Sequence, residues 1–121
     1  MGEDNLRAAK NLLDQRRLRS CVSRAYFSAF SILTHKLSLI FDEFSQGRPG
    51  PSHRKLLKLT AHNLKVGNKR VHGKIQEAIH ELQKARIAAD YHPELTLDES
   101  VARKSVQQAG FIIEQMKKMG N

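Results

Sequence analysis

Arg86, Asp90, Tyr91 and His92 fall in one short run, Arg86-Ile87-Ala88-Ala89-Asp90-Tyr91-His92, just before Pro93. A cation, a carboxylate, a phenol and an imidazole are thereby gathered at one place in the chain. This set suits cleavage of RNA at phosphate without a metal ion. Such cleavage needs a base to take the 2′-hydroxyl proton, a cation to stabilise charge on the phosphorane, and a donor for the leaving oxygen. Histidine suits the acid and base roles because its ordinary pKa is near 6.5. Arginine suits the phosphate because its fork of donors is always charged. On an unbroken helix, the offset from Arg86 to His92 turns through about 120°. The two converge only if the helix ends near His92, as Pro93 suggests, or if two subunits share one site. The plain alternative is structural: Arg86 and Asp90 form a helix ion pair, and His92 is an exposed residue favoured by a helix C-terminus.

The helix that must carry this run has Val71, Ile75, Ala78, Ile79, Leu82, Ala85 and Ala89 as its apolar positions. Arg86 follows Leu82 by four positions and Ile79 by seven, so it belongs to the same stripe. An arginine there is costly unless its charge is paired, and Asp90 is the evident partner. A second cation stands in the apolar stretch Ser23-Arg24-Ala25-Tyr26-Phe27-Ser28-Ala29-Phe30. Arg24 either joins Asp90 or a substrate phosphate, orienting the site, or reaches solvent along its own stem. Tyr26 reads as core.

The chain has 121 residues and a formal net charge of +9. The charge is concentrated. From Ser45 to Gln76 there is no Asp or Glu, while Arg48, Arg54, Lys55, Lys58, Lys65, Lys69, Arg70 and Lys74 give that window +8, leaving +1 for the rest. Such a cluster implies an anionic partner, most simply RNA, with a solvated basic surface as the bland alternative. Arg48, Arg54, Lys55, Lys58, Lys69, Arg70 and Lys74 are the candidate RNA contacts. No aromatic residue lies between Phe44 and Tyr91, so phosphate contact fits this segment better than base stacking. A helix-turn-helix with its turn at Gly67-Asn68 is a weaker competitor, because the helix that follows is too long and too apolar to lie in a groove.

Other chemistries find little support. No two of the six histidines are spaced three or four apart, and no glycine loop has the pattern that cradles a phosphate. No metal and no cofactor are therefore expected. Cys21 is the single cysteine, which excludes an internal disulfide and suggests an intracellular, cytoplasmic chain with a buried thiol. Met1-Gly2-Glu3-Asp4 does not read as a secretory leader, and the most apolar stretch, Ala25 to Leu33, is far shorter than the roughly 20 residues of a membrane span.

Five helical stretches are predicted: about Asp4 to Arg17, Ser20 to Phe44, Ser52 to Val66, Lys69 to His92, and one beginning at Thr96 and ending at Gly120. The second is apolar over more than one stripe and should be central. Ser52 is the expected cap of the third helix, and Thr96 with Glu99 an expected capping box for the fifth. Gly73 is a soft spot in the fourth. No strand pattern is present. The expected fold is all-α: one domain over residues 1–121, a four- to five-helix up-down bundle with short loops.

Taken together, these segments resemble the HEPN family, helical domains of prokaryotic toxins, defence proteins and nucleotidyltransferase partners. Ser23-Arg24-Ala25-Tyr26-Phe27-Ser28-Ala29-Phe30 resembles the family's central helix. Ser52-His53 resembles the Ser/His opening the next helix, and Arg86-Ile87-Ala88-Ala89-Asp90-Tyr91 resembles its Arg-x-x-Ala-Asp-Tyr signature. The last helix, with Phe111-Ile112-Ile113, resembles its closing helix. The resemblance implies a homodimer whose composite cleft cuts RNA without metal, as a toxin–antitoxin or defence component. Arg86 would stabilise the phosphorane, His92 would act as base or acid, and Asp90 and Tyr91 would orient them. A cognate antitoxin or a nucleotidyltransferase is an implied partner. Ile87 stands where catalytic members usually carry Asn, Asp or His. That departure opens a second reading, a non-catalytic module that docks a minimal nucleotidyltransferase or a nucleotide.

Overall fold

A computed structural model describes residues 2–39, 52–63 and 69–119. Among them are five helices and no strand: α1 (Gly2–Asp14), α2 (Leu18–Ser38), α3 (His53–Asn63), α4 (Lys69–Tyr91) and α5 (Glu99–Lys118). The all-α expectation holds.

α2 is the central element, in contact with each of the other four helices. Its sequence explains this. Cys21, Val22, Ala25, Tyr26, Ala29, Leu33 and Leu37 are all buried, and together they cover more of the helix surface than one stripe would. Ile75, Ile79 and Leu82 of α4, Leu56 of α3, and Ile112 and Met116 of α5 are fully buried in the same cluster. Each such side chain stabilises the fold by about 1.5–3 kcal/mol relative to exposure. Among the described residues no helix is long and apolar enough to cross a membrane.

Several helix ends differ from expectation, for local reasons. α1 stops at Asp14 rather than Arg17 because Arg16 takes a left-handed conformation, φ 59°. Arg16 N–H then donates to the Leu13 carbonyl at 2.9 Å and Arg17 N–H to the Leu12 carbonyl at 2.8 Å. This closure satisfies carbonyls that a helix end otherwise leaves open, but glycine is the usual residue at its left-handed position. Arg16→Gly is therefore expected to raise the unfolding free energy by about 1 kcal/mol, read from urea denaturation; a loss of stability would contradict this description of the turn.

α2 begins at Leu18, earlier than expected, and ends at Ser38 with Leu39 in a turn, its N–H folded back on the Lys36 carbonyl at 3.3 Å. Ile40, Phe41 and Phe44 lie outside the described residues, as do the loop residues 46–51, Leu64, Val66, Gly67, Asn68 and Gly120. Ser52 caps α3 as expected, its hydroxyl accepting from Lys55 N–H at 3.2 Å. α4 runs unbroken through Gly73. The expected capping box of α5 is corrected. Asp98, not Thr96, is the cap: its carboxylate accepts from Val101 N–H at 3.0 Å, and the helix starts at Glu99. Asp98 also takes the Ser100 hydroxyl, so its carboxyl is held below the usual range by Ser100 first and the Val101 N–H second. Thr96 has no comparable run of donors to accept from, since the helix begins two residues too late for it.

Candidate functional site

The last two turns of α4 lie against α2, and the chemistry-bearing residues of both meet there. Arg86 is held on four sides. Its Nε donates to Asp90 Oδ2 at 3.0 Å, one turn along α4. Its Nη2 approaches the Tyr91 hydroxyl at 3.4 Å. Its guanidinium carbon stands 5.2 Å from the Phe27 ring centre, 5.3 Å from Tyr91 and 5.6 Å from Tyr26. Three rings around a cation supply the attraction of their π faces and remove part of its water. The Arg86 side chain keeps 23% of its surface exposed, so the cation is reachable as well as held.

Asp90 has a second partner that the sequence did not suggest. Ser23 Oγ donates to the same oxygen, Oδ2, at 3.3 Å. The expectation that Arg24 joins Asp90 is corrected. Arg24 instead donates through Nη1 to Asn5 Oδ1 of α1 at 3.2 Å, although it lines a cavity of about 200 Å³ beside Ser23 and Asp90. The reason is register. Ser23 is the α2 residue bonded to Asp90, and the next position along the helix is turned about 100° from it, towards α1.

Below the guanidinium, Tyr26 is buried and its hydroxyl shares a 3.0 Å hydrogen bond with His53 Nδ1 from the first turn of α3. Burial pushes the Tyr26 phenol up to about 12, against the opposing pull of Arg86. His53 Nε2 is buried with no hydrogen-bond partner among the described residues. Burial first, then His80 and Arg86, hold the His53 imidazole below its usual pKa. The unfolded chain therefore takes up this proton before the folded one does. Stability attributable to His53 is complete above the ordinary histidine pKa of about 6.5 and is lost as pH falls from there through the folded pKa. Denaturation midpoints measured between pH 7.5 and 5 should fall for the wild type and fall less for His53→Gln. Equal pH slopes would contradict a buried neutral imidazole.

His92 lies just past the end of α4. Its Nδ1 is hydrogen-bonded to Glu94 Oε1 at 3.0 Å, and its side chain is 49% exposed. Glu94 is held below the usual carboxylate range by its own backbone N–H first and by His92 second. Arg86 and His92 thus occupy one end of one helix but have separate partners. Tyr91, between them in sequence, is 63% exposed.

The turn that carries His92 is held by a residue that sequence reasoning passed over. Arg19, at the start of α2, donates through Nη1 to the carbonyls of Ala88, Ala89 and His92 at 3.0–3.2 Å, and through Nη2 to those of Pro93 and Leu95. The last turn of α4 has no basic residue of its own. The carbonyls at its end therefore take a charged donor from another helix. That lack of a cation at the end of α4 was the one sequence signal that could have prompted a search for Arg19.

Of the expected RNA contacts, Arg54, Lys55 and Lys58 on α3 and Lys69, Arg70 and Lys74 on α4 are exposed. Arg48 lies outside the described residues, as does Lys65 of the same basic window. Cys21 is buried, as expected, and burial raises its thiol pKa. Among the described residues no group of three or more His, Cys, Asp or Glu side chains is gathered closely enough to hold a metal ion.

The family model described as HEPN domain matches residues 1–119. No curated protein matches the sequence.

Proposed function

The chain belongs to the HEPN domain family, and from that premise we propose that it binds RNA and cleaves it without a metal ion, as a homodimer acting in toxin or defence chemistry in the cytoplasm. The observation that carries this reading is the Arg86 cage. A guanidinium fixed by Asp90 through Nε and by three aromatic rings, yet still 23% exposed, is preorganised for an anion. Because it is already oriented, it stabilises charge on a phosphorane with little rearrangement. Ser23 and Asp90 position it. Exposed cations on α3 and at the start of α4 hold the RNA backbone, and His92 supplies the acid–base group.

Within one chain His92 is bonded to Glu94 rather than turned to Arg86. A second copy laid against this helix end offers each Arg86 the His92 of its neighbour. Mixing tests this directly. Arg86→Ala and His92→Ala proteins should each be inactive, and a refolded mixture should regain cleavage, because a heterodimer contains one intact pair. No recovery in a mixture shown to contain heterodimers would overturn the shared site.

Tyr91 favours a second reading. The residue is 63% exposed and its hydroxyl lies beside the Arg86 cation, which suits attack on a nucleoside triphosphate held by a partner nucleotidyltransferase. The phenol oxygen would take the nucleotidyl group, releasing pyrophosphate and its own proton. Here the domain is a non-catalytic module and leaves RNA intact. A mass increase on Tyr91 with the partner and ATP supports it, and none with an active partner removes it.

A further inference from the structure

We propose that Phe27 and Tyr91 form a stacking site for a nucleobase of single-stranded RNA, with Arg86 between them taking the adjoining phosphate. The inference rests on the RNA-binding reading and says how the site holds its substrate. The basic window offered no aromatic platform, because it contains no Phe, Tyr or Trp. The fold supplies one from elsewhere. Phe27 comes from α2 and Tyr91 from the end of α4, and their ring centres lie 5.2 and 5.3 Å from the same guanidinium carbon.

Three features point to a nucleotide. First, both residues are exposed, Phe27 by 39% and Tyr91 by 63%, although Phe27 sits in α2, the most apolar of the described helices. An exposed phenylalanine beside a cation leaves apolar surface open to a flat ligand. Second, the Phe27 ring is fixed. Buried Tyr26 meets it edge-on, at 5.3 Å and 70° between planes. A ring so held loses little freedom when a base stacks on it. Third, the charge matches. The site holds one always-charged guanidinium, whose Nε is paired with Asp90 while its Nη atoms lie among the rings, and the exposed cations of α3 and α4 belong to a chain of net charge +9. A base needs a π face and a phosphate needs a fork of donors, and both are present here within one nucleotide's reach.

The probes are a fluorescent oligouridylate of about ten nucleotides, 2′-O-methylated so that it cannot be cut, and an abasic sugar-phosphate chain of equal length. Binding to the full chain is read by anisotropy, with oligomeric state followed on the same samples. Phe27→Leu keeps an apolar side chain at an exposed position and removes the ring. It should weaken the uridylate about 10-fold or more and the abasic chain much less, because Asp90 and the Tyr26 and Tyr91 rings still hold Arg86. Tyr91→Leu should act in the same sense, while Phe27→Tyr and Tyr91→Phe, which keep the rings, should retain wild-type preference for bases. Unchanged uridylate affinity in Phe27→Leu overturns the stacking site and leaves the RNA reading standing. Equal loss on both probes overturns it too: with the dimer intact the rings serve only to hold Arg86, and with conversion of a dimer to a monomer they belong to the contact with a second copy of the chain. Wild-type protein that binds neither probe overturns both readings.

Discussion

Arg86→Ala is expected to lower the rate of RNA cleavage by about 10²–10³-fold, the usual consequence of removing one preorganised stabiliser of developing negative charge. Arg86→Lys should recover little. An ammonium is a point charge that cannot lie flat among Tyr26, Phe27 and Tyr91 while donating to Asp90. The variant should stay folded, because the Asp90 carboxylate it leaves behind keeps the Ser23 hydroxyl as a donor and 30% of its side-chain surface in solvent. Single-turnover cleavage with a thermal midpoint on the same preparation separates the two effects. A folded Arg86→Ala protein that cleaves at the wild-type rate would remove Arg86 from the site.

Arg19→Ala should be the most damaging change to stability outside the apolar core, at about 3 kcal/mol in urea denaturation, because hydrogen bonds from a charged group are individually among the stronger ones. Five carbonyls lose the Arg19 donor at once, those of Ala88, Ala89, His92, Pro93 and Leu95, and only Ala88 and His92 keep a backbone N–H, from His92 and Leu95, among the bonds at this turn. Arg19→Lys should restore less than half, since three hydrogens on one nitrogen cannot span from the end of α4 to Leu95. The turn bearing His92 should loosen in the alanine variant, so amide exchange at Leu95, whose N–H donates to the His92 carbonyl at 3.1 Å, should quicken more than exchange in the middle of α2. Uniform quickening would mean that Arg19 acts on the whole bundle rather than on this turn.

The helical architecture was legible because apolar spacing is a local signal. Leu33, Leu37, Ile79, Leu82 and Met116 fall where a helical period puts them, and all are buried. The central place of α2 followed from its having more than one apolar stripe. Ends were less legible. Thr96 with Glu99 has the spacing of a capping box, yet Asp98 is the cap observed, because spacing does not say which oxygen the first helical N–H groups will meet. Arg16 in a left-handed turn has no sequence mark, since arginine is an unusual choice there.

The candidate site was legible where its parts are close in sequence. The Arg86–Asp90 pair follows from an offset of four, and it is formed at 3.0 Å. What crosses between helices was not. Ser23 on Asp90, Tyr26 on His53, and Arg19 on the end of α4 depend on how helices lie against one another, which no periodicity encodes. Arg19 bonds to a carbonyl 69 positions away. Arg24 shows the same limit from the other side, since one position of helical rotation decides whether a residue meets Asp90 or Asn5.

The most direct test of metal-independent cleavage by this chain is incubation of the purified protein with mixed RNA in EDTA, beside the His92→Ala variant, with the oligomeric state measured on the same samples. Cleavage by the wild-type dimer and none by a folded His92→Ala dimer is the expected result. Intact RNA after incubation with a well-folded wild-type dimer would contradict it.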